Sequence, residues 1–238
     1  MTSTTGREHL DGPDIGLALL ALGAGSMDAL GFFALGGALP SAMTGNTALL
    51  GLALGQGHLA AAGRPFAAGL GFVLGAGLAA VLLHLDLAQL PVRRGVTWLL
   101  GVEAVLLIAF VIAWQFVDRR VADLPLYVLI LLGAAAMGVQ SVAARQDDRP
   151  GISTVVFTST LTALVIAATH ALLGTPHRLG FVAKRQAFMF GAYALGAVAG
   201  GFLTLQAIGM IPFLPLLAAL TALLLHMGSP VDGEARAP

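Results

Sequence analysis

Residues 15–39 read IGLALLALGAGSMDALGFFALGGAL, an unbroken apolar stretch of 25 residues. The hydrocarbon core of a bilayer is about 30 Å thick and needs about 20 apolar helical residues to cross it, so this stretch is long enough to span a membrane. The preceding residues, 1–14, are polar and lack the basic lead of a secretory signal. We therefore predict a transmembrane helix that is retained behind a short polar tail.

The composition of the whole chain is that of a membrane protein. Of its 238 residues, 58% are hydrophobic and only 10% are charged, against about 25% charged in soluble domains. Twelve basic residues balance twelve acidic ones, which leaves no basic excess for nucleic acid. The chain has no cysteine, so disulfides and thiolate metal sites are excluded. We predict the lipid bilayer as a partner, no nucleic acid and no cofactor.

Seven more apolar segments follow the first one. Five of them read as full spans, at 65–87, 96–117, 124–143, 187–206 and 210–227. The other two are shorter or richer in hydroxyl groups. Residues 48–54 are too short to cross unless the polar residues 44–47, which include two threonines, lengthen the segment, and 152–173 is hydroxyl-rich but long enough. We predict an all-α polytopic membrane protein with six full spans plus two short or broken hydroxyl-rich segments. A single transmembrane domain covers 15–227, between a polar tail at 1–14 and a disordered tail at 228–238.

The basic residues indicate the orientation but leave the number of crossings open. Cytoplasmic loops carry an excess of Lys and Arg. If eight segments cross, four of the twelve basic residues lie opposite the N-terminus, namely Arg93, Arg94, Arg145 and Arg149. If six cross, only three do, namely Arg64, Arg119 and Arg120. Both counts predict that the N- and C-termini are cytoplasmic.

The two halves of the chain, about 15–117 and about 124–227, resemble each other. Three features recur in order: MDALGFF from Met27 and MGVQSVA from Met137, MTGNT at 43–47 and FTSTL at 157–161, and a glycine eleven residues after Arg64 and after Arg185. Repetition of this kind predicts two internal repeats. They are inverted if six segments cross and parallel if eight do. In secondary transporters, such halves meet near the midplane around discontinuous helices.

Three stretches together resemble the YoaK family of bacterial multi-pass membrane proteins. They are GAGSMDALGFFALGGALPSAMTGNTALLGLALG at 23–55, AAAMGVQSVAAR at 134–145 and ISTVVFTSTLT at 152–162. The family signature is an aspartate in the first span followed by Thr-Gly-Asn, here Asp28 and Thr44, Gly45, Asn46. The second half departs from it, with Thr158 and Ser159 where similar proteins tend to have Thr-Gly. The resemblance covers about 17–227 and implies a helical protein of the bacterial inner membrane, with almost no chemistry.

Two acidic residues lie inside the predicted spans. Asp28 falls near the middle of 15–39, where an aspartate costs roughly 2.5 to 3.5 kcal/mol, so it must face protein or water or carry a proton. It is either a proton or cation site or a structural carboxyl that ties helices together. Glu103 lies eight residues into 96–117, closer to one interface. Its side chain is long enough to snorkel toward water there, and the alternative is a functional site.

The remaining candidate residues for substrate or ion binding surround the helix breaks. Thr44, Gly45 and Asn46 follow Pro40, and a helix that starts there would direct free amides at an anion. The alternative is capping by Ser41 or Thr44, with Asn46 bonding a neighbouring helix. In the second half the candidates are Thr158 and Thr160, which match the first polar cluster, and Gln140, which takes the repeat position of Asp28. Packing is the alternative for these.

These features predict a small-solute or ion transporter or channel with a midplane acidic site. The alternative is a non-catalytic membrane scaffold or accessory subunit, in which small-residue faces bind another membrane protein. The sequence leaves open whether the chain forms a homo-oligomer. We predict no enzyme and no metal site, because the chain has neither a nucleophile with a base in reach nor histidines at metal-ligand spacing.

Overall fold

The computed structural model of the chain describes residues 12–86, 92–116, 123–146, 157–173 and 181–228. Within these ranges every regular element is helical, which confirms the predicted all-α class. The eight helices are α1 (Gly12–Ala34), α2 (Met43–Gly55), α3 (Leu59–Asp86), α4 (Val92–Phe116), α5 (Asp123–Gln146), α6 (Phe157–Leu172), α7 (Phe181–Gln206) and α8 (Phe213–Gly228). Most of both predicted tails, 1–11 and 229–238, lies outside the described residues.

The lengths of the helices agree with a membrane location. Five helices, α1, α3, α4, α5 and α7, are long and apolar enough to cross a bilayer. Helix α8 is apolar but has 16 residues, a length of about 24 Å. Helix α2 has 13 residues, about 20 Å, and is too short to cross alone.

Helix α1 ends five residues before the predicted end of its span. Gly36 and Gly37 have φ values of 70° and 87°, a left-handed conformation that closes a helix and that glycine adopts without strain. The Gly37 amide donates hydrogen bonds to the carbonyls of Gly31 and Phe32. Asp28 therefore lies six residues from the helix end, about 9 Å along the axis, and not at the centre of α1.

The chain then folds back over α1 as a segment that we call the return loop, residues 35–42. Leu35 and Ala38 of this loop are fully buried. The loop approaches α1 so closely at Gly31 that a β-carbon there would overlap the carbonyl oxygen of Ala38. The return loop carries the start of α2 back to the level of Asp28.

Helices α1 and α7 pack together in the same direction. Near their starts, Asp14 of α1 lies beside Arg185 of α7, and further along Gly25 contacts the backbone of Tyr193. Helices α3 and α5 also run parallel, because Gly63 faces Tyr127 and, later in both helices, Gly138 contacts the backbone at Ala76. The other extensive contacts join α4 to α5, α1 to α8, α2 to α3, α4 to α8 and α6 to α7.

Helix α2 runs antiparallel to α3. Only residues 56–58 separate the two helices, and the helices pack against each other along a shared cavity. The start of α3 lies beside the end of α1, because a side chain at Gly36 would meet the guanidinium of Arg64. The chain therefore leaves α1 and enters α3 at the same end of the molecule.

Helix α4 shows how the bundle divides its buried and outward faces. Leu99, Leu107 and Phe110 are fully buried against the neighbouring helices. Trp98, Val105 and Ile112, seven residues apart on one stripe, are 54 to 65% exposed. A large apolar face turned outward is costly in water and is suited to lipid.

Candidate functional site

The carboxyl group of Asp28 joins three parts of the fold. Its side chain is buried, with 5% of its surface exposed. One oxygen accepts a 2.7 Å hydrogen bond from the Ser41 amide. The other accepts bonds from the Ser41 hydroxyl at 2.6 Å and from the Tyr193 hydroxyl at 2.7 Å. Asp28 therefore holds α1, the return loop and α7 together.

The same carboxyl group lies at the start of α2. The Ala42 amide also faces it, and Ala42 immediately precedes the helix without a side-chain cap of its own. Free amides and the helix dipole attract negative charge at a helix start. Asp28 therefore takes the place in which an external anion was predicted. The capping alternative is also wrong, because the Ser41 hydroxyl bonds Asp28 instead.

Asn46 holds the return loop from the other side. Its side-chain oxygen accepts a 3.0 Å hydrogen bond from the Leu39 amide, and its side-chain nitrogen donates a 2.6 Å bond to the Leu39 carbonyl. Gly45 packs against the Leu39 side chain, whereas Thr44 is exposed on α2. Asp28 and Asn46 thus fix loop positions only two residues apart.

The cavity that Asn46 lines does not reach Asp28. Asn46 lines a cavity of about 470 Å³ between α2 and α3. Asp28 is not part of its lining. The walls are largely apolar and include Met43, Leu50, Phe66, Leu70, Phe72 and Val73. An opening of this kind, on the outward side of two helices, suits an apolar chain better than an ion.

The second-half candidates lie apart from Asp28. The Gln140 amide on α5 is buried and donates a 3.1 Å hydrogen bond to the carbonyl of Leu20 on α1. Leu20 precedes Asp28 by eight residues, about 12 Å along the helix. Thr160 is buried in the first turn of α6, which packs on α7. Thr158 is in the same turn, but its side chain is outside the described part of the structure.

Glu103 does not snorkel to an interface. Its side chain is buried, with 1% exposed, and neither carboxyl oxygen has a hydrogen-bond partner among the described residues. It is the twelfth residue of the 25 in α4, so the nearest helix end is about 17 Å away. A glutamate side chain cannot reach water over that distance, so the snorkelling alternative is wrong.

The sequence analysis missed Tyr193, which completes the Asp28 site from the other half of the chain. A signal for it existed: the hydroxyl of a tyrosine inside an apolar helix needs a partner, and Asp28 is an acceptor at membrane depth. What the sequence did not provide was the parallel contact of α1 with α7. As assembled, the carboxyl group of Asp28 accepts hydrogen bonds from the return loop and from α7. Among the described residues no group of three or more His, Cys, Asp or Glu could hold a metal.

Comparison with known proteins agrees with this architecture. The family model described as "Protein of unknown function (DUF1275)" matches residues 16–227. The UPF0700 transmembrane protein YoaK of Bacillus subtilis (strain 168) is 36% identical over 150 residues, which are 63% of this chain and 64% of that protein. The match thus spans a little less than two thirds of that relative. No solved structure matches the chain. The predicted resemblance to YoaK is confirmed, and the chain belongs to the DUF1275 family of membrane proteins.

Proposed function

We propose that the chain is a small-solute or ion transporter or channel of the bacterial inner membrane, built from two inverted repeats. The observation that carries this proposal is the Asp28 site. A buried acidic group binds an interrupted segment of one half and, through Tyr193, a helix of the other half. Acidic groups at membrane depth are costly and belong to proton, ion or substrate pathways by default.

The pattern of helix packing supports the two repeats. Exchanging α1 with α5, α2 with α6, α3 with α7 and α4 with α8 turns the α1–α7 contact into the α5–α3 contact. The same exchange turns α1–α8 into α5–α4 and α2–α3 into α6–α7, and it leaves α4–α8 unchanged. The principal contacts therefore form pairs that an internal two-fold relation would generate.

The close backbone contacts support the same relation residue by residue. A β-carbon at Gly25 would overlap the carbonyl of Tyr193 and touch Ala197, and one at Gly138 would do the same to Phe72 and Ala76. Gly25 and Gly138 are 113 residues apart, and the other two pairs are each separated by 121. Under the proposed repeat relation, these offsets would pair Asp28 with Ser141 rather than with Gln140, and Tyr193 with Phe72. The acidic site therefore exists in one half only.

The directions of the helices support six crossings rather than eight. The end of α1 and the start of α3 lie together, so α2 enters and returns without crossing. The crossing helices are then α1, α3, α4, α5, α7 and α8, three in each half, and an odd number inverts the second half. The positive-inside rule agrees with cytoplasmic termini, because only Arg64, Arg119 and Arg120 fall on the far side.

In this proposal the two halves rock against each other at the α1–α7 and α3–α5 contacts. Both contacts are made by small residues that bring backbones close together. The Asp28 site joins the halves, and weakening its bonds to Ser41 would free the return loop beside α2. Solute movement would then follow the alternating-access scheme of repeat-built transporters.

The test is uptake by the purified protein in proteoliposomes, with a screen of labelled ions and small solutes. Any flux that is found is measured again for Asp28→Asn and Tyr193→Phe. We expect both to change the rate several-fold. The matched control is Tyr127→Phe, because Tyr127 is the only other tyrosine of the chain. If the Asp28→Asn variant transports the solute at the wild-type rate, the acidic site has no role in transport.

The second candidate is a non-catalytic scaffold or accessory subunit. It is favoured by the sealed character of the Asp28 site, whose two oxygens are both bonded within the chain. It requires a partner that stays bound in mild detergent. Co-purification of a stoichiometric membrane protein, or a stable homo-oligomer, without uptake of any solute would support this candidate over transport.

A further inference from the structure

Glu103 is an intramembrane carboxyl that the Asp28 site does not use. Its two oxygens are buried and lack hydrogen-bond partners in the described ranges. An ionised carboxylate without donors is strongly disfavoured in apolar surroundings, where such a group takes up a proton instead. Its environment thus differs from that of Asp28, which accepts three hydrogen bonds.

A narrow cavity lies on the same face of α4, toward the end of the molecule where α1 begins. Its volume is about 20 Å³, enough for about one water molecule. Four helices contribute to its lining, which includes Gly16, Leu20, Leu100, Ala144, Ala222 and His226. It lies where the α1–α8 pair meets the α4–α5 pair.

The helical register places Glu103 directly beyond this cavity. Val96 and Leu100 line it from α4, and Glu103 follows them by seven and three residues, which puts it on the same face about one turn deeper. On α5, Ala143 and Ala144 line the cavity, and Gln140 lies three and four residues away from them, on the same face and one turn deeper. The Gln140 side chain also donates a hydrogen bond to the carbonyl of Leu20, which is part of the cavity wall. Glu103 and Gln140 therefore share the level below the cavity.

A titratable side chain from α8 lines this cavity. Among the described side chains of the helices packed on α4, the titratable or charged ones are Tyr127 and Arg145 of α5 and His226 of α8. Of these, His226 lines the cavity.

We propose that Glu103 is a proton-binding site, loaded through the cavity among α1, α4, α5 and α8. Binding of the proton needs no transport activity and stands on burial and geometry alone. Its use as the coupling site of a proton-linked transporter rests on the proposed function. Under the six-crossing arrangement, the cavity opens toward the cytoplasm, so cytoplasmic protons would load the site.

The test for the site is labelling with an apolar carbodiimide, which reacts with protonated carboxyls buried in membrane proteins. The carboxyl O–H adds across one C=N bond, and the acyl group then migrates to nitrogen, leaving a stable N-acylurea. Peptide mass spectrometry of the folded wild-type protein locates the adduct without relying on any variant. We expect Glu103 to be labelled at least ten times faster than Asp28, and faster at acidic than at alkaline pH.

Variants then separate the site from its proposed use. Glu103→Gln should abolish the principal adduct, and Asp28→Asn should leave it in place. Labelling of Glu103 only after unfolding in strong detergent would overturn the proton site. If Glu103 is labelled but measured flux is independent of a proton gradient, the coupling role is overturned. If Glu103 is labelled and no flux is found, the proton site is supported and the transport proposal fails.

Discussion

The Tyr193 hydroxyl on α7 donates a 2.7 Å hydrogen bond to the carboxyl group of Asp28 on α1, across 165 positions of sequence. The bond is made beside the close backbone contact at Gly25, so the two parallel helices are fixed both by packing and by a polar tie. In the repeat relation that we propose, the position equivalent to Tyr193 holds Phe72, which has no hydroxyl. The polar tie is thus a feature of one half that the packing alone does not require.

Removing the Tyr193 hydroxyl should therefore destabilise the fold measurably. Tyr193→Phe leaves Asp28 buried with one donor fewer, and a buried polar group that loses its partner costs about 1 to 3 kcal/mol. We expect a lower midpoint of thermal unfolding in detergent micelles, and a larger loss for Asp28→Ala. The matched control is Tyr127→Phe. If Tyr193→Phe and Tyr127→Phe have the same midpoint of thermal unfolding, the hydrogen bond between Tyr193 and Asp28 does not stabilise the fold.

A second prediction concerns the hold of Asn46 on the return loop. Asn46→Asp keeps an acceptor for the Leu39 amide but loses the donor to the Leu39 carbonyl, whereas Asn46→Ala loses both. Hydrogen exchange at the Leu39 amide should accelerate in both variants, and more in Asn46→Ala. Thr44→Ala, on the exposed side of the same helix, is the control. Unchanged exchange in Asn46→Ala would show that the loop does not depend on this side chain.

The helices of this fold could be predicted from the sequence, and the bend after α1 could not. Apolar length sets a span in lipid because each helix satisfies its own backbone, so all eight apolar segments appear as helices. Residues 35–39 are as apolar as the helix before them. These residues do not continue helix α1, because Gly36 and Gly37 adopt left-handed conformations and because the return loop packs onto Gly31. A hydropathy profile reports only side-chain polarity, so it contains no information on either the backbone conformation or the packing of the loop.

A third prediction uses the glycines of the two parallel contacts. Gly25→Leu and Gly138→Leu should both prevent close packing, of α1 on α7 and of α3 on α5, and sharply reduce the yield of monodisperse protein. Gly77→Leu should be tolerated, because a β-carbon there meets no atom within 4 Å. Size-exclusion chromatography of the solubilised protein measures this. A normal yield for one of the two contact variants would argue against equivalent contacts in the two halves.

Only part of the candidate site could be predicted from the sequence, and Asp28 was the clearest part. Asp28 was identified because placing a charge in lipid has a high free-energy cost. Asn46 was identified because it belongs to a sequence signature that resembles that of a known family. The contacts that decide their roles, with Tyr193 and with the return-loop backbone, depend on which helices pack in parallel. Gln140 was assigned to the repeat position of Asp28 by aligning short motifs, whereas the repeat relation that we propose from the backbone contacts pairs Ser141 with Asp28. One residue of slip on a helix turns a side chain by about 100°, because 3.6 residues complete a turn.

A fourth prediction distinguishes six crossings from eight. The natural chain has no cysteine, so single cysteines at Gln56, Gln146 and Gly209 each provide one thiol. With six crossings and cytoplasmic termini, a membrane-impermeant maleimide should label positions 56 and 209 on intact cells and label position 146 only after lysis. Eight crossings would exchange the behaviour of 56 and 146 and leave 209 as a constant control.

The last prediction concerns the ion pair at the opposite end of the α1–α7 contact, where Arg185 lies 2.5 Å from Asp14. Both side chains are buried, 5% and 1% exposed, so removing one partner leaves the other charge in a poorly solvated place, at a cost of about 3 to 5 kcal/mol. Asp14→Asn should therefore lower the unfolding midpoint more than Lys184→Gln, which alters the exposed neighbour of Arg185. The double variant Asp14→Leu, Arg185→Met should recover much of the loss, because a packed apolar pair carries no desolvation cost. Additive losses in that double variant would show that the two charges stabilise the contact independently and not as a pair.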